Sequence, residues 1–148
     1  PLDPEGDADW LFTSGTTGSP KGVVTTHGQT TRAFDQWSEI VGLRAGDRYL
    51  IANPFSHTFG YKAGIVACLM RGATMVPLAS FDAETLFETI ERERITVFPA
   101  APAVYQTMLA HPELAKHDLG SLRAAATGAA VPGVRPRVRG GVRPQKEK

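Results

Sequence analysis

Short β-branched runs and segments of helical period take turns along residues 22–128, and this alternation is what most restricts the fold. Residues 22–26 (GVVTT), 48–53 (RYLIAN), 73–78 (ATMVPL), 95–99 and 122–127 read as strands. Between them, residues 29–41 bring Ala33, Phe34, Trp37, Ile40 and Val41 to one side of a helix, which Gly42 ends. Residues 61–71 (YKAGIVACLMR) are apolar nearly all round, so the helix expected there is buried on several sides and stops at Gly72. Residues 82–94 offer Leu86, Phe87 and Ile90 on one face behind Asp82 as N-cap, and residues 102–110 form a further helix. Successive parallel strands need helical crossovers, so the expected class is α/β, a largely parallel sheet with flanking helices. Ligands of such sheets sit beyond the carboxyl ends of the strands. The segments expected at such ends are SGTTGSPKG, NPFSHTFG, PAAP and TGAA.

Residues 8–13 (ADWLFT) read as a strand preceding 22–26, which makes SGTTGSPKG the loop of a hairpin. Its chemistry suits an anion. Gly15, Gly18 and Gly22 let the backbone fold into a nest of N–H groups, Thr13, Ser14, Thr16, Thr17 and Ser19 add hydroxyls, and Lys21 adds a positive point charge. A Walker A loop is excluded, because Pro20 precedes the lysine, Gly22 follows it, and a strand rather than a helix comes next. A flexible Ser/Gly linker is disfavoured, since it would begin and end inside hairpin strands.

The run TSGTTGSPKG, residues 13–22 in register, resembles the phosphate loop of the adenylate-forming superfamily, which includes acyl-CoA synthetases, luciferases and peptide-synthetase adenylation domains. NPFSHTFGYKAG, SFDAETLFETIERERITVFPAAPAVY and LRAAATGAA resemble later segments of the same family in the same order. The resemblance covers about residues 8–131, and implies that residues 1–131 are a fragment of the large N-terminal domain of such an enzyme.

It also implies a chemistry. A carboxylate attacks the α-phosphate of ATP, giving acyl-adenylate and pyrophosphate, and a thiol, usually coenzyme A, takes the acyl group. Thr13, Ser14, Gly15, Thr16, Thr17, Gly18 and Lys21 would hold the β- and γ-phosphates, with Mg²⁺ as bridging counter-charge. His57 would lie by the substrate carboxylate and help gate the pocket as the catalytic histidine. Phe59 and Gly60 would flank the acid, Gly60 being small to leave room for the acyl chain, and Gly128, Ala129 and Ala130 would line the adenine and acyl pocket. The His-containing segment favours a plain carboxylic acid, fatty or sterol-derived, over an amino acid. NPFSHTFGYKAGIVACLMRGATMVPLASFD resembles actinobacterial ligases that activate a ring-derived propanoate.

Other features are read as structural. Cys68 is expected to be an inert core thiol, Trp10 and Trp37 to pack, His27 to lead into the following helix, and His111 and His117 to be solvated beside Pro112. One cysteine allows no disulfide or CxxC site and suits a reducing, cytoplasmic compartment. The longest apolar stretch, residues 63–70, is far short of the about 20 residues that cross a bilayer, so no transmembrane segment is expected. No GxSxG, HExxH or carboxylate cluster of metal-ligand type is present.

Charge is unevenly placed: the net +1 combines −4 over residues 1–133 with +5 over 134–148. Residues 132–148 (PGVRPRVRGGVRPQKEK) are rich in Arg, Gly and Pro and read as a disordered or out-of-frame tail. Without aromatics for stacking, that tail is not expected to bind nucleic acid. The family's Tyr-Gly-x-Thr-Glu and Thr-Gly-Asp segments and its C-terminal lysine domain do not occur in these 148 residues. The chain alone is therefore expected to be an inactive piece, with uncovered strand edges and apolar helix faces prone to aggregation. A non-catalytic nucleotide-binding remnant and a fragment of an amino-acid adenylation domain are the alternatives.

Overall fold

The computed structural model of the chain describes residues 2–13 and 20–127. Strands β1 (Asp7–Thr13) and β2 (Lys21–Thr26) pair antiparallel, with Trp10 opposite Val24 and Thr13 opposite Lys21. A second sheet has the order β4–β3–β5–β6, built from β3 (Arg48–Ile51), β4 (Thr74–Pro77), β5 (Val97–Pro99) and β6 (Ala124–Ala126), with every neighbouring pair parallel. The alternation of strands and helices thus holds from β3 onward. Residues 22–26 stand apart from it, because they pair with β1 in a separate sheet and β2 runs directly into a helix.

That helix is α1 (His27–Ile40). Thr26 caps it in a reciprocal box: Gln29 N donates to Thr26 Oγ1 at 3.2 Å, and Thr26 N donates to Gln29 Oε1 at 3.1 Å. A short α2 (Thr58–Gly60) continues into a π-helical turn, Tyr61–Val66, and then α3 (Ala67–Arg71). Gly72 ends α3 at φ +66°, and Gly42 lies just past α1 at φ +65°, a left-handed geometry that costs other residues energy. Asp82 caps α4 (Ala83–Arg92), accepting from Thr85 N at 2.9 Å, and α5 (Pro102–Ala110) starts with proline in its first turn.

Strand order fixes where the helices lie. The chain steps one way from β3 to β4, then back past β3 to β5 and on to β6; right-handed crossovers therefore put the β3–β4 helices on one face and α4 and α5 on the other. Packing agrees. Leu50 and Phe98 meet Leu86, Phe87, Ile90 and Met108 on one side, while Tyr49, Ile51 and Val97 meet Val41, Leu43, Ala67 and Cys68 on the other. Successive strand residues point to opposite faces, so both faces of β3 and β5 are apolar, as in a sheet covered twice.

Three expectations about packing are corrected. Trp10 is 60% exposed, because the hairpin face that carries it is not covered by the sheet. The segment 61–71 is enclosed as expected over residues 61–68, all buried or half-buried, and departs from expectation only at the end of α3, where Leu69 is 68% and Met70 38% exposed. His111 and His117 are half-buried rather than solvated, their rings 5.5 and 5.3 Å from that of Phe87, and His117 pairs with Glu91 at 3.2 Å. Cys68 is buried as expected, and desolvation raises its thiol pKa to about 12. Among the described residues no helix is long and apolar enough to cross a membrane.

Candidate functional site

The neighbouring strands β3 and β5 send their following segments to opposite faces of the sheet. Such a switch point leaves a crevice at the carboxyl ends of the strands, where α/β proteins bind ligands. Residues 52–57 leave β3 there and end at His57, while Ala100 and Ala101 leave β5. TGAA begins past the end of β6, with Gly128, Ala129 and Ala130 outside the described residues.

His57 is the N-cap of α2. Its Nδ1 accepts from Phe59 N at 3.1 Å, so the neutral ring carries its proton on Nε2, and that N–H is the donor it can offer. The imidazole borders a pocket of about 280 Å³ lined by Phe34, Trp37, His57, Thr58, Phe59 and Ala63. Trp37 and Phe59 meet edge to face at 5.6 Å. The wall is thus aromatic, contributed by α1 on one side and the His57 segment on the other.

Gly60 does not make room for a ligand. A Cβ placed on it would stand 2.3 Å from Pro54 O and 2.5 Å from Asn53 O, so the missing side chain lets the backbone fold back on itself. His57 N donates to Pro54 O at 3.0 Å within the same turn. The expectation of acyl-chain space at Gly60 is corrected accordingly: its role is closure of the turn that presents His57.

The π-helical turn has its own support. Tyr49, 2% exposed, donates its hydroxyl to Ala63 O at 2.7 Å, and burial pushes its phenol pKa well above the ordinary value. Single π turns inside helices widen the backbone and are frequent at functional sites. One turn residue, Lys62, is 2% exposed, and its Nζ reaches Thr25 Oγ1 at 2.6 Å, Thr30 Oγ1 at 3.2 Å and Asp9 Oδ2 at 3.0 Å. The last contact is ionic, without hydrogen-bond geometry, while Asp9 Oδ1 accepts from Thr25 Oγ1 at 3.0 Å.

Sequence reasoning missed the role of Lys62. The available signal was a pair of misplaced charges: a lysine inside an otherwise apolar run, and Asp9 in a β-rich one.

Thr13 and Lys21 face each other at the ends of β1 and β2, so both flank the loop between the strands. Ser14, Gly15, Thr16, Thr17 and Gly18 lie outside the described residues, and Ser19 with them. Among the described residues no group of three or more His, Cys, Asp or Glu side chains could hold a metal ion.

The family model described as AMP-binding enzyme matches residues 1–137. The chain belongs to the AMP-binding enzyme family. A Rhodococcus jostii (strain RHA1) member, named 3-[(3aS,4S,7aS)-7a-methyl-1,5-dioxo-octahydro-1H-inden-4-yl]propanoyl:CoA ligase, is 50% identical over 129 residues, 87% of this chain and 25% of that protein. The Mycobacterium tuberculosis (strain ATCC 25618 / H37Rv) ligase of the same name is 51% identical over 127 residues, 86% of this chain and 25% of that protein.

Solved structures superpose as well. The inhibitor-bound N-terminal domain of FACL13 from M. tuberculosis matches with TM-score 0.79 at 33% identity, over 88% of this chain and 33% of that one. ATP-bound MatB from Rhodopseudomonas palustris matches with TM-score 0.78 at 27% identity, over 87% of this chain and 25% of that one. The chain spans about a quarter of the length of the curated relatives it matches. Its fold is α/β and matches part of the N-terminal domain of FACL13.

Proposed function

We propose that the chain is part of an ATP-dependent acid–thiol ligase acting on a ring-bearing propanoate or fatty acid. The observation that carries this is His57, in the segment that leaves β3: its Nδ1 is occupied by Phe59 N, so Nε2–H is a donor beside an aromatic pocket between α1 and that segment. A carboxylate accepting from Nε2–H would be oriented there while its apolar body enters the pocket. Relatives half identical over this stretch are named as propanoyl:CoA ligases whose acid carries a fused-ring indene system, and the aromatic wall suits such a body.

In the first step a carboxylate oxygen bonds to the α-phosphorus of ATP and the bond to pyrophosphate breaks. In the second, the thiolate of coenzyme A bonds to the acyl carbon, and AMP leaves. Thr13, Ser14, Gly15, Thr16, Thr17, Gly18 and Lys21 would hold the β- and γ-phosphates, and Gly128, Ala129 and Ala130 would line the adenine and acyl pocket. Mg²⁺ would supply counter-charge to the phosphates, with no ligand assigned on the described residues.

We further read residues 1–131 as the family domain portion and 132–148 as a separate basic tail, in a cytoplasmic protein whose partners are the acid, ATP and coenzyme A. In the complete protein, ATP–pyrophosphate exchange should require the acid and fall about 100-fold in Lys21→Ala, as when one charge-stabilising donor is removed. Exchange that proceeds without any acid, or is unchanged in Lys21→Ala, would contradict the proposal. Nucleotide binding without exchange would favour a non-catalytic nucleotide-binding unit.

A further inference from the structure

The buried ammonium of Lys62 joins parts of the chain that the sheets leave separate. The hairpin shares no strand pairing with the four-stranded sheet. Lys62 belongs to the π-helical turn five residues after His57, whereas Asp9 and Thr25 belong to the hairpin and Thr30 to α1. The ammonium donates to Thr25 Oγ1 at 2.6 Å and to Thr30 Oγ1 at 3.2 Å, and pairs ionically with Asp9 Oδ2 at 3.0 Å. The side chains of Lys62 and Asp9 are 3% and 13% exposed, so water offers little substitute.

Packing alone does not call for this arrangement. A buried ion pair can often be replaced by apolar side chains of similar volume without loss of stability, so stability alone does not account for it. Geometry matters at this point in the hairpin. From Asp9 to Thr13 the strand runs four residues, about 13 Å at roughly 3.3 Å each, so a tilt of about 5° at the base moves the tip by about 1 Å. Displacements of about 1 Å can cost about 100-fold in rate where two reactants must meet.

We propose that Lys62 is a positioning residue, whose ion pair with Asp9 and hydrogen bonds to Thr25 and Thr30 set the angle at which the hairpin carries its phosphate loop relative to the His57 segment. This rests on the proposed ligase reaction, in which that loop holds ATP and His57 orients the acid. Apart from the cluster, the hairpin is tied down near its base by backbone bonds, His27 N to Gly6 O at 3.1 Å and Gly28 N to Pro4 O at 2.7 Å. These sit at the start of α1, and the Lys62 cluster adds the point of attachment to the His57 segment.

The test uses the complete protein and the double variant Lys62→Met/Asp9→Leu, which removes both charges. Expected are a melting temperature near that of the wild type, acid-dependent ATP–pyrophosphate exchange lowered about 100-fold, and faster amide hydrogen exchange in residues 7–13 and 21–26. Unchanged pyrophosphate exchange together with unchanged amide exchange would overturn the proposal. If the double variant does not fold, Thr25→Val removes one acceptor and should lower the exchange rate about 10-fold; a wild-type rate there overturns it equally. A wild-type protein without pyrophosphate exchange would defeat the ligase reading instead. Amide exchange would then decide for Lys62: faster hairpin exchange in the variant supports the anchor, and none overturns it.

Discussion

Replacing Gly60 with alanine separates two roles that a small residue can have beside a pocket. The added Cβ would lie 2.3 Å from Pro54 O and 2.5 Å from Asn53 O, where real Cβ contacts essentially never fall below 3.0 Å. Both obstacles are backbone carbonyls, so relief requires the turn between Asn53 and Gly60 to open by roughly 0.7 Å or more, and no rotamer change can absorb it. Overpacking of this kind costs about 2–3 kcal/mol. At about 2.1 cal/mol/K per residue, a domain of roughly 390 residues, the size implied by the FACL13 coverage, loses about 2–4 °C of Tm. Opening the turn also moves His57, whose backbone N–H is bonded to Pro54 O. Calorimetry and kcat/KM for acids of increasing size should be measured on the complete Gly60→Ala protein. A lower Tm is expected, with activity reduced by a similar factor for every acid. A variant that melts like the wild type and loses only the bulkiest acids would refute turn closure and restore Gly60 as a wall of the acyl site.

Two more outcomes rest on local chemistry. The Asp82 carboxyl is held below the usual carboxylate range, chiefly by the hydrogen bond from Thr85 N, so its stabilisation is present above the unfolded value near 4 and is lost as pH falls through the folded value. The Tm difference between wild type and Asp82→Ala should be full at pH 6 and shrink as pH falls through the folded value; a difference independent of pH would show that the cap acts without its charge. Cys68 is fully buried with its thiol pKa raised to about 12, so a thiol reagent at pH 8 should modify it only at the rate of unfolding, and labelling of the folded protein within minutes would contradict that burial.

Much of this fold was legible in the chain, for physical reasons that also mark where reading failed. Leu50, Phe98, Leu86, Phe87 and Ile90 follow the periods of strand and helix, and they pack as those periods require. Gly42, Gly72 and Asp82 act through local backbone chemistry, so their positions as stops and cap could be read directly. Trp10 shows the limit: its place in the strand was clear, but its exposure depends on the hairpin lying apart from the main sheet. Gly60 reads in sequence only as a small residue near His57, because the carbonyls of Asn53 and Pro54 come to lie behind it through a fold-back of the chain that no local pattern encodes. Lys62 went unread because its partners, Asp9, Thr25 and Thr30, are 32 or more residues away in sequence. At the candidate site, the position of His57 beyond β3 followed from the strand pattern, whereas the aromatic wall required the packing of α1.

The most direct test of the proposed chemistry is oxygen transfer. The complete protein would be given ATP, coenzyme A and a ring-bearing propanoate labelled with ¹⁸O in both carboxylate oxygens, and the products analysed by mass spectrometry. Attack of the carboxylate on the α-phosphorus, followed by thiol attack on the acyl carbon, leaves one ¹⁸O in AMP and none in pyrophosphate. Label recovered in inorganic phosphate, or AMP formed without label, would contradict adenylation of the acid.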